Sequence, residues 1–171
     1  MTTDYSYVAA YDVRNALWQE IEENGLLDIN DYYADGFSEP LLPIIPAQQV
    51  PEFNNLLPGK TYIIYDIMQK NYGVQWWMSQ ETITFEITST SAAEIQTLNN
   101  LISDMFRRYD SSAKDINLKL NPESPYNFHY FRLVSADPVQ SFQTEGGLMM
   151  GVISLDYSYS RDLDPVTGRY L

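Results

Sequence analysis

The chain has no cysteine, which removes disulfides, thiolate metal sites and cysteine nucleophiles together. Histidine is nearly absent as well. His129 is the single imidazole in 171 residues, too few donors for structural zinc, which draws on cysteine and histidine. Basic residues are scarce, with 10 Lys and Arg against 23 Asp and Glu, for a formal charge of −13. A surface with that balance repels phosphate backbones, which speaks against a sequence-reading nucleic-acid binder. Long apolar runs are missing too: no stretch approaches the roughly 18 consecutive apolar residues of a membrane helix. The start, Met1-Thr2-Thr3-Asp4-Tyr5, lacks the basic region of a signal peptide. The expectation is a soluble chain made in a cytoplasm.

What is there suits one domain. A chain of this length buries roughly 70% of the surface its unfolded form exposes and needs no covalent staple. Aromatic residues make up 14% of the chain, and 14 of them are tyrosines. Tyrosine is enriched where an apolar ring sits at a partly wet contact, so the composition leans toward protein–protein surfaces.

Periodicity predicts a first helix over about 7–24, with Val13, Leu17 and Ile21 at four-residue spacing, Trp18 beside them and Gly25 as the stop. Glu22 and Glu23 stand at the end of the helix dipole that disfavours negative charge unless a partner neutralises them. From Leu26 to Gly59, Pro40, Pro43, Pro46, Pro51 and Pro58 exclude a long helix or a central strand. This 26–59 stretch reads as a long irregular connection. Tyr32, Tyr33, Phe37, Leu41, Leu42, Ile44, Ile45 and Phe53 give it more apolar content than disordered segments have, so it packs on something.

Strand signals follow over 60–69, with a turn predicted at Lys70-Asn71-Tyr72-Gly73. Over Glu81–Thr88, Ile83, Phe85 and Ile87 share one face, with threonines and Glu86 on the other. Ser91-Ala92-Ala93-Glu94 has the form of a capping box. It opens an amphipathic helix on Ile95, Leu98, Leu101, Ile102, Met105 and Phe106, ending near Tyr109 or Asp110. Over 111–120, Ile116, Leu118 and Leu120 alternate like a strand, while Asp110-Ser111-Ser112 could cap a short helix. Two more strands are predicted, Phe128–Val134 and about 148–160, pairing antiparallel. The change of apolar parity between Val152 and Ile153 implies a bulge near Val152 or burial of both faces. Residues 161–171 read as a C-terminal arm. The fold class is α+β, a mostly antiparallel sheet packed with an N-terminal helix and a central amphipathic helix.

Chemical motifs fail one by one. Gly59-Lys60-Thr61 resembles the end of a P-loop, but Asn54 stands where the first glycine belongs and a strand follows where a helix is needed. Asp28, Asn30 and Glu39 match the first, third and twelfth positions of a calcium loop, yet Tyr33 replaces its glycine. His129 alternates with Phe128 and Tyr130 on a strand, and no Gly-x-Ser-x-Gly elbow accompanies it. Asp162 and Asp164 supply too few oxygens for calcium. No acid/base pair stands out, and neither a catalytic residue, a metal ligand nor a cofactor is assigned. Trp76-Trp77 offers either a turn cap or an interface anchor.

The order helix, proline-rich connection, strand, strand, helix, strand, strand resembles bacteriophage tail terminator or tail completion (head–tail neck) proteins. Glu81-Thr82-Ile83-Thr84-Phe85-Glu86-Ile87 running into Ser91-Ala92-Ala93-Glu94-Ile95, then the closing hairpin from Phe128 to Ser160, carries the likeness. The resemblance implies a structural virion protein without catalytic residues. It implies a hexameric ring that caps the tail tube, meets the tube protein and the head–tail connector proteins, and lets DNA pass through its lumen without specific binding. Such a protein is synthesised in the host cytoplasm and resides in the virion tail or neck. Two alternatives stand beside it: another neck component, sheath-stabilising or head-closure, and a monomeric protein- or carbohydrate-binding module. Candidate contact residues are Tyr32, Tyr33, Phe37, Leu41, Leu42, Ile44, Ile45, Trp76 and Trp77, with Leu163 and Tyr170 on the arm.

Overall fold

The computed structural model describes residues 8–72, 78–137 and 147–161. The first helix, α1 (Ala9–Glu23), buries Val13, Leu17 and Ile21 completely, as their spacing predicts. It ends where Asn24 Nδ2 donates to the Glu20 carbonyl at 2.8 Å and Gly25 takes the left-handed φ of 64°. Glu23 does find a partner at its unfavourable end. Lys119 Nζ lies 2.9 Å from Glu23 and 2.5 Å from Glu20.

The proline-punctuated connection folds into short pieces. A 3-10 turn (Ile29–Tyr32) precedes strand β1 (Ile44–Pro46), and helix α2 (Val50–Leu56) follows with Pro51 in its first turn, where the missing N–H costs nothing. β1 pairs parallel with β2 at the sheet edge, the place open to a strand that proline limits. Phe53 of α2 sits 5.3 Å from the Tyr62 ring and 6.3 Å from the Tyr32 ring, closing the corner where β1 and β2 begin.

Strands β2 (Tyr62–Tyr72), β3 (Met78–Ser89), β4 (Tyr126–Ala136) and β5 (Met149–Arg161) complete a five-stranded sheet ordered β1-β2-β3-β5-β4, antiparallel except at β1. Over Lys70–Tyr72 the predicted turn gives way to strand, β2 staying paired through Tyr72 opposite Ser79, and Gly73 lies outside the described residues. The bulge expected near Val152 is absent: β5 runs against β3 without a break. Register shifts instead place extra residues on β4, His129 and Val134, and one on β2, Met68. Gly151, Ile153, Leu155, Tyr157 and Tyr159 are buried on one side of β5, while Met150 and Val152 lie half-buried on the other.

Helix α3 (Ala92–Phe106) lies across this buried side. Ile83, Phe85 and Ile87 of β3 meet Ile95, Leu98, Ile102 and Phe106, all fully buried, and each such side chain contributes about 1.5–3 kcal/mol of transfer free energy. α3 packs so closely on β5 that a Cβ on Gly151 would lie 2.6 Å from Ile95 Cγ2. The capping box is half formed. Ser91 Oγ accepts from the Glu94 N–H at 3.3 Å, but the Glu94 carboxylate turns to Thr61 and Ser89.

α3 stops at Phe106, short of the predicted end, since Tyr109 has φ 52°, outside the helical region. The undecided 111–120 segment is helix α4 (Asp110–Lys119), with Ser112 Oγ accepting from the Arg108 N–H at 3.1 Å. Its buried residues, Ser112, Ala113 and Ile116, keep helical spacing, and Leu118 is solvent-exposed.

Candidate functional site

Helices α3 and α4 pack on one face of the sheet, leaving most of its second face without a helix among the described residues. Side chains alternate across a strand, so this second face carries Gln80, Thr82, Thr84 and Glu86 from β3, and Ser154, Asp156, Ser158 and Ser160 from β5. Tyr130 and Arg132 join them from β4, and Asp66 from β2. The groups are wired to one another across the strands. Thr82 Oγ1 donates to Asp156 Oδ1 at 2.7 Å, Arg132 pairs with Asp156, and Gln80 Nε2 donates to the Tyr130 hydroxyl at 2.9 Å. His129 Nε2 lies 2.9 Å from Ser160 Oγ, and burial lowers its pKa below the ordinary 6.5. The Asp156 carboxylate holds the Arg132 guanidinium charged, raising its pKa. The result is a hydroxyl-rich wall with three carboxylates, Asp66, Glu86 and Asp156, against one guanidinium, Arg132.

The contact residues expected from the sequence divide sharply. Tyr33 and Phe37 are each 48% exposed in the turn where the Phe37 N–H donates to the Ala34 carbonyl. Leu41 and Leu42 are half-buried against the core. Tyr32, Ile44 and Ile45 are buried inside the chain. Tyr32 donates its hydroxyl to the Thr61 carbonyl at 2.7 Å, and burial, with Glu94 and Asp31 nearby, raises its pKa. Trp76, Trp77, Leu163 and Tyr170 lie outside the described residues, as do Asp162 and Asp164.

Two buried polar clusters were not foreseen. Glu81 shares the parity of Ile83 and Phe85 and enters the core, where Tyr157 and Tyr159 donate their hydroxyls to its two oxygens, the latter at 2.7 Å. Burial, then the Glu81 charge, raises both phenols well above their ordinary range. At the start of α3, Glu94 Oε2 accepts from Thr61 Oγ1 at 2.5 Å and Ser89 Oγ at 2.6 Å, tying the residue before β2 and the end of β3 to α3. The parity of Glu81 was the readable signal for the first; the second needs tertiary contacts.

A cleft of about 570 Å³ opens between α1 and the end of α4, with Asp12, Trp18, Leu42 and Lys119 in its walls. Its charged groups are engaged within the chain: Lys119 with Glu20 and Glu23, and Asp12 with Ser124 Oγ at 2.5 Å. Burial alone would lower the Lys119 ammonium, but its hydrogen bonds to the two glutamates outweigh that and raise it. Among the described residues no three His, Asp or Glu side chains converge as a metal site would require, and no helix is long and apolar enough to cross a membrane.

No protein-family model and no curated protein sequence matches the chain. Among solved structures, a chain from the virion of native gene transfer agent (GTA) particle is similar to it, at a TM-score of 0.50 and 13% identity. The match covers 91% of this chain and 99% of that one, and at such identity it is a likeness of fold.

Proposed function

We propose that the chain is a structural virion protein of the tail-terminator type. It forms a hexameric ring that caps a tail tube and joins it to the head–tail connector proteins, and it acts by assembly rather than by catalysis. The observation that supports this most is the extent of the fold likeness, since nearly the whole of a chain from a GTA virion finds its counterpart here. The sheet face away from α3 and α4 is the surface this reading turns toward the lumen. Three carboxylates against one guanidinium, set among serine and threonine hydroxyls, repel a phosphate backbone. DNA that is repelled slides without specific binding.

Tyr33 and Phe37, exposed on the connection, are the contacts assigned to a neighbouring subunit or to the tube. Light scattering and negative-stain imaging of the purified chain, alone and mixed with tail tubes, provide the test. Six-membered rings at tube ends are expected. A strict monomer that ignores tubes overturns the reading and favours a free-standing binding module. Rings that bind sheath or connector but not tube ends place it at another position in the neck.

A further inference from the structure

Among the described residues, neither long edge of the sheet is covered along its whole length. On one side β1 accompanies β2 only as far as Tyr65, so Asp66–Tyr72 has no strand on its outer side among the described residues. On the other, α4 and the α3–α4 corner hold the first half of β4. The Asn117 side chain bonds both backbone groups of Phe128, and the Tyr109 carbonyl accepts from the Phe131 N–H at 3.3 Å. Beyond that point Arg132–Ala136 has no described partner on its outer side.

The two open stretches stand level. Asp66, Thr84, Ser154 and Ser135 form one row across the sheet, and Gln69, Thr82, Asp156 and Arg132 another. Three successive antiparallel pairings separate β2 from β4, so the two strands run in opposite directions. A second copy carried across the sheet without being turned over therefore offers its β4 antiparallel to β2, the pairing with the more direct hydrogen bonds.

We infer that copies of this chain join edge to edge, the open stretch of β2 in one accepting the open stretch of β4 in the next. β1 ends at Pro46 in the row of Tyr65, and the neighbour's Arg132–Ser135 fills the rows just beyond. Bulges and charged side chains are two separate devices that keep sheet edges from pairing. Here the extra residues are Met68, 64% exposed, and Val134, 55% exposed. Opposite charges, Asp66 and Arg132, stand one on each edge of the same face. The contact is heterologous, so copies repeat it head to tail, forming a ring where the rotation closes, and it carries the polar face on as a continuous wall. This rests on the ring reading.

The absence of native cysteine makes the test clean. Met68→Cys and Val134→Cys, both at exposed positions, are prepared singly and together in the full chain, then oxidised or treated with a short bis-maleimide. The double variant is expected to give a ladder of covalent multimers, the two single variants mixed are expected to give dimers only, and each single variant alone none. Self-crosslinking of one single variant as efficient as the mixed reaction indicates symmetric pairing and overturns the inference. Rings seen by light scattering with no ladder from the double variant also overturn it, while leaving the ring reading intact. A chain that stays monomeric with tubes present removes both. As a second probe, Met68→Asp is expected to abolish rings while leaving the urea midpoint of the monomer unchanged; rings that persist count against the edge contact.

Discussion

The side-chain amide of Asn117 holds both backbone groups of Phe128, Nδ2 donating to its carbonyl at 2.8 Å and Oδ1 accepting from its N–H at 2.9 Å. A helix residue thereby does for the edge of β4 what a neighbouring strand would do. Replacing Asn117 with alanine leaves a buried N–H and carbonyl without these partners, and such groups cost about 1–3 kcal/mol each. Urea denaturation of Asn117→Ala is expected to show a loss in that range. A midpoint equal to that of the parent chain would mean that solvent replaces the amide at no cost.

Gly151 and Ile95 give a second, steric prediction. A Cβ at 2.6 Å from Ile95 Cγ2 forces the Ile95 side chain or α3 to shift, and overpacking a core costs about 1–3 kcal/mol. Gly151→Ala should therefore destabilise although alanine suits a strand backbone better than glycine. Combined with Ile95→Ala the two losses should be less than additive, because the smaller residue removes the clash. Strict additivity in the double-mutant cycle would place the cost elsewhere.

The buried phenols around Glu81 predict a loss of stability at alkaline pH. Tyr157 and Tyr159 are raised above their ordinary 10.0 by burial and then by the Glu81 charge. The unfolded chain releases these protons from about pH 10 upward while the folded chain keeps them, so the folded state binds more protons and stability falls as pH rises. Denaturant midpoints should hold below about pH 9 and drop above about pH 10, with phenolate absorbance appearing together with unfolding. Ionisation of all tyrosines without unfolding contradicts this. Glu81→Gln should let the two phenols ionise at lower pH.

Exposure separates the contact residues into two classes with opposite outcomes. Tyr33→Ser and Phe37→Ser remove exposed rings and should leave stability within about 0.5 kcal/mol while weakening assembly. Ile44→Ala empties a buried site and should cost about 2–5 kcal/mol whether or not subunits associate. Paired urea melts and light scattering read both quantities. Loss of stability in the tyrosine and phenylalanine variants would move those rings into the core.

Much of this fold was legible because one side of the sheet is buried. Ile83, Phe85 and Ile87 alternate strictly since each odd position meets α3, and the Ser91 cap marks the start of that helix. Helix α4 was ambiguous because Leu118, an exposed residue, completes a false alternation with Ile116 and Leu120, whereas Ala113 and Ile116 carry the real spacing. Tyr32, Ile44 and Ile45 stand in a proline-rich connection whose apolar residues predict packing without naming the surface. They pack on something, as their apolarity demands, and that something is the chain's own core. Asn117 gave no local sign, since its partner is a backbone unit eleven residues on.

The place of β5 between β3 and β4 sets the order in which the molecule can come into being. β3 and β4 precede it in sequence yet share no pairing with each other; β3 has β2 beside it, but β4 has no strand partner until residues 149–161 bridge the two. During synthesis the earlier strands emerge with an unfilled slot between β3 and β4, and the β3–β5 contacts of high sequence separation form only late. A partial chain thus has no route to the finished sheet, and only polypeptides translated through β5 can complete it.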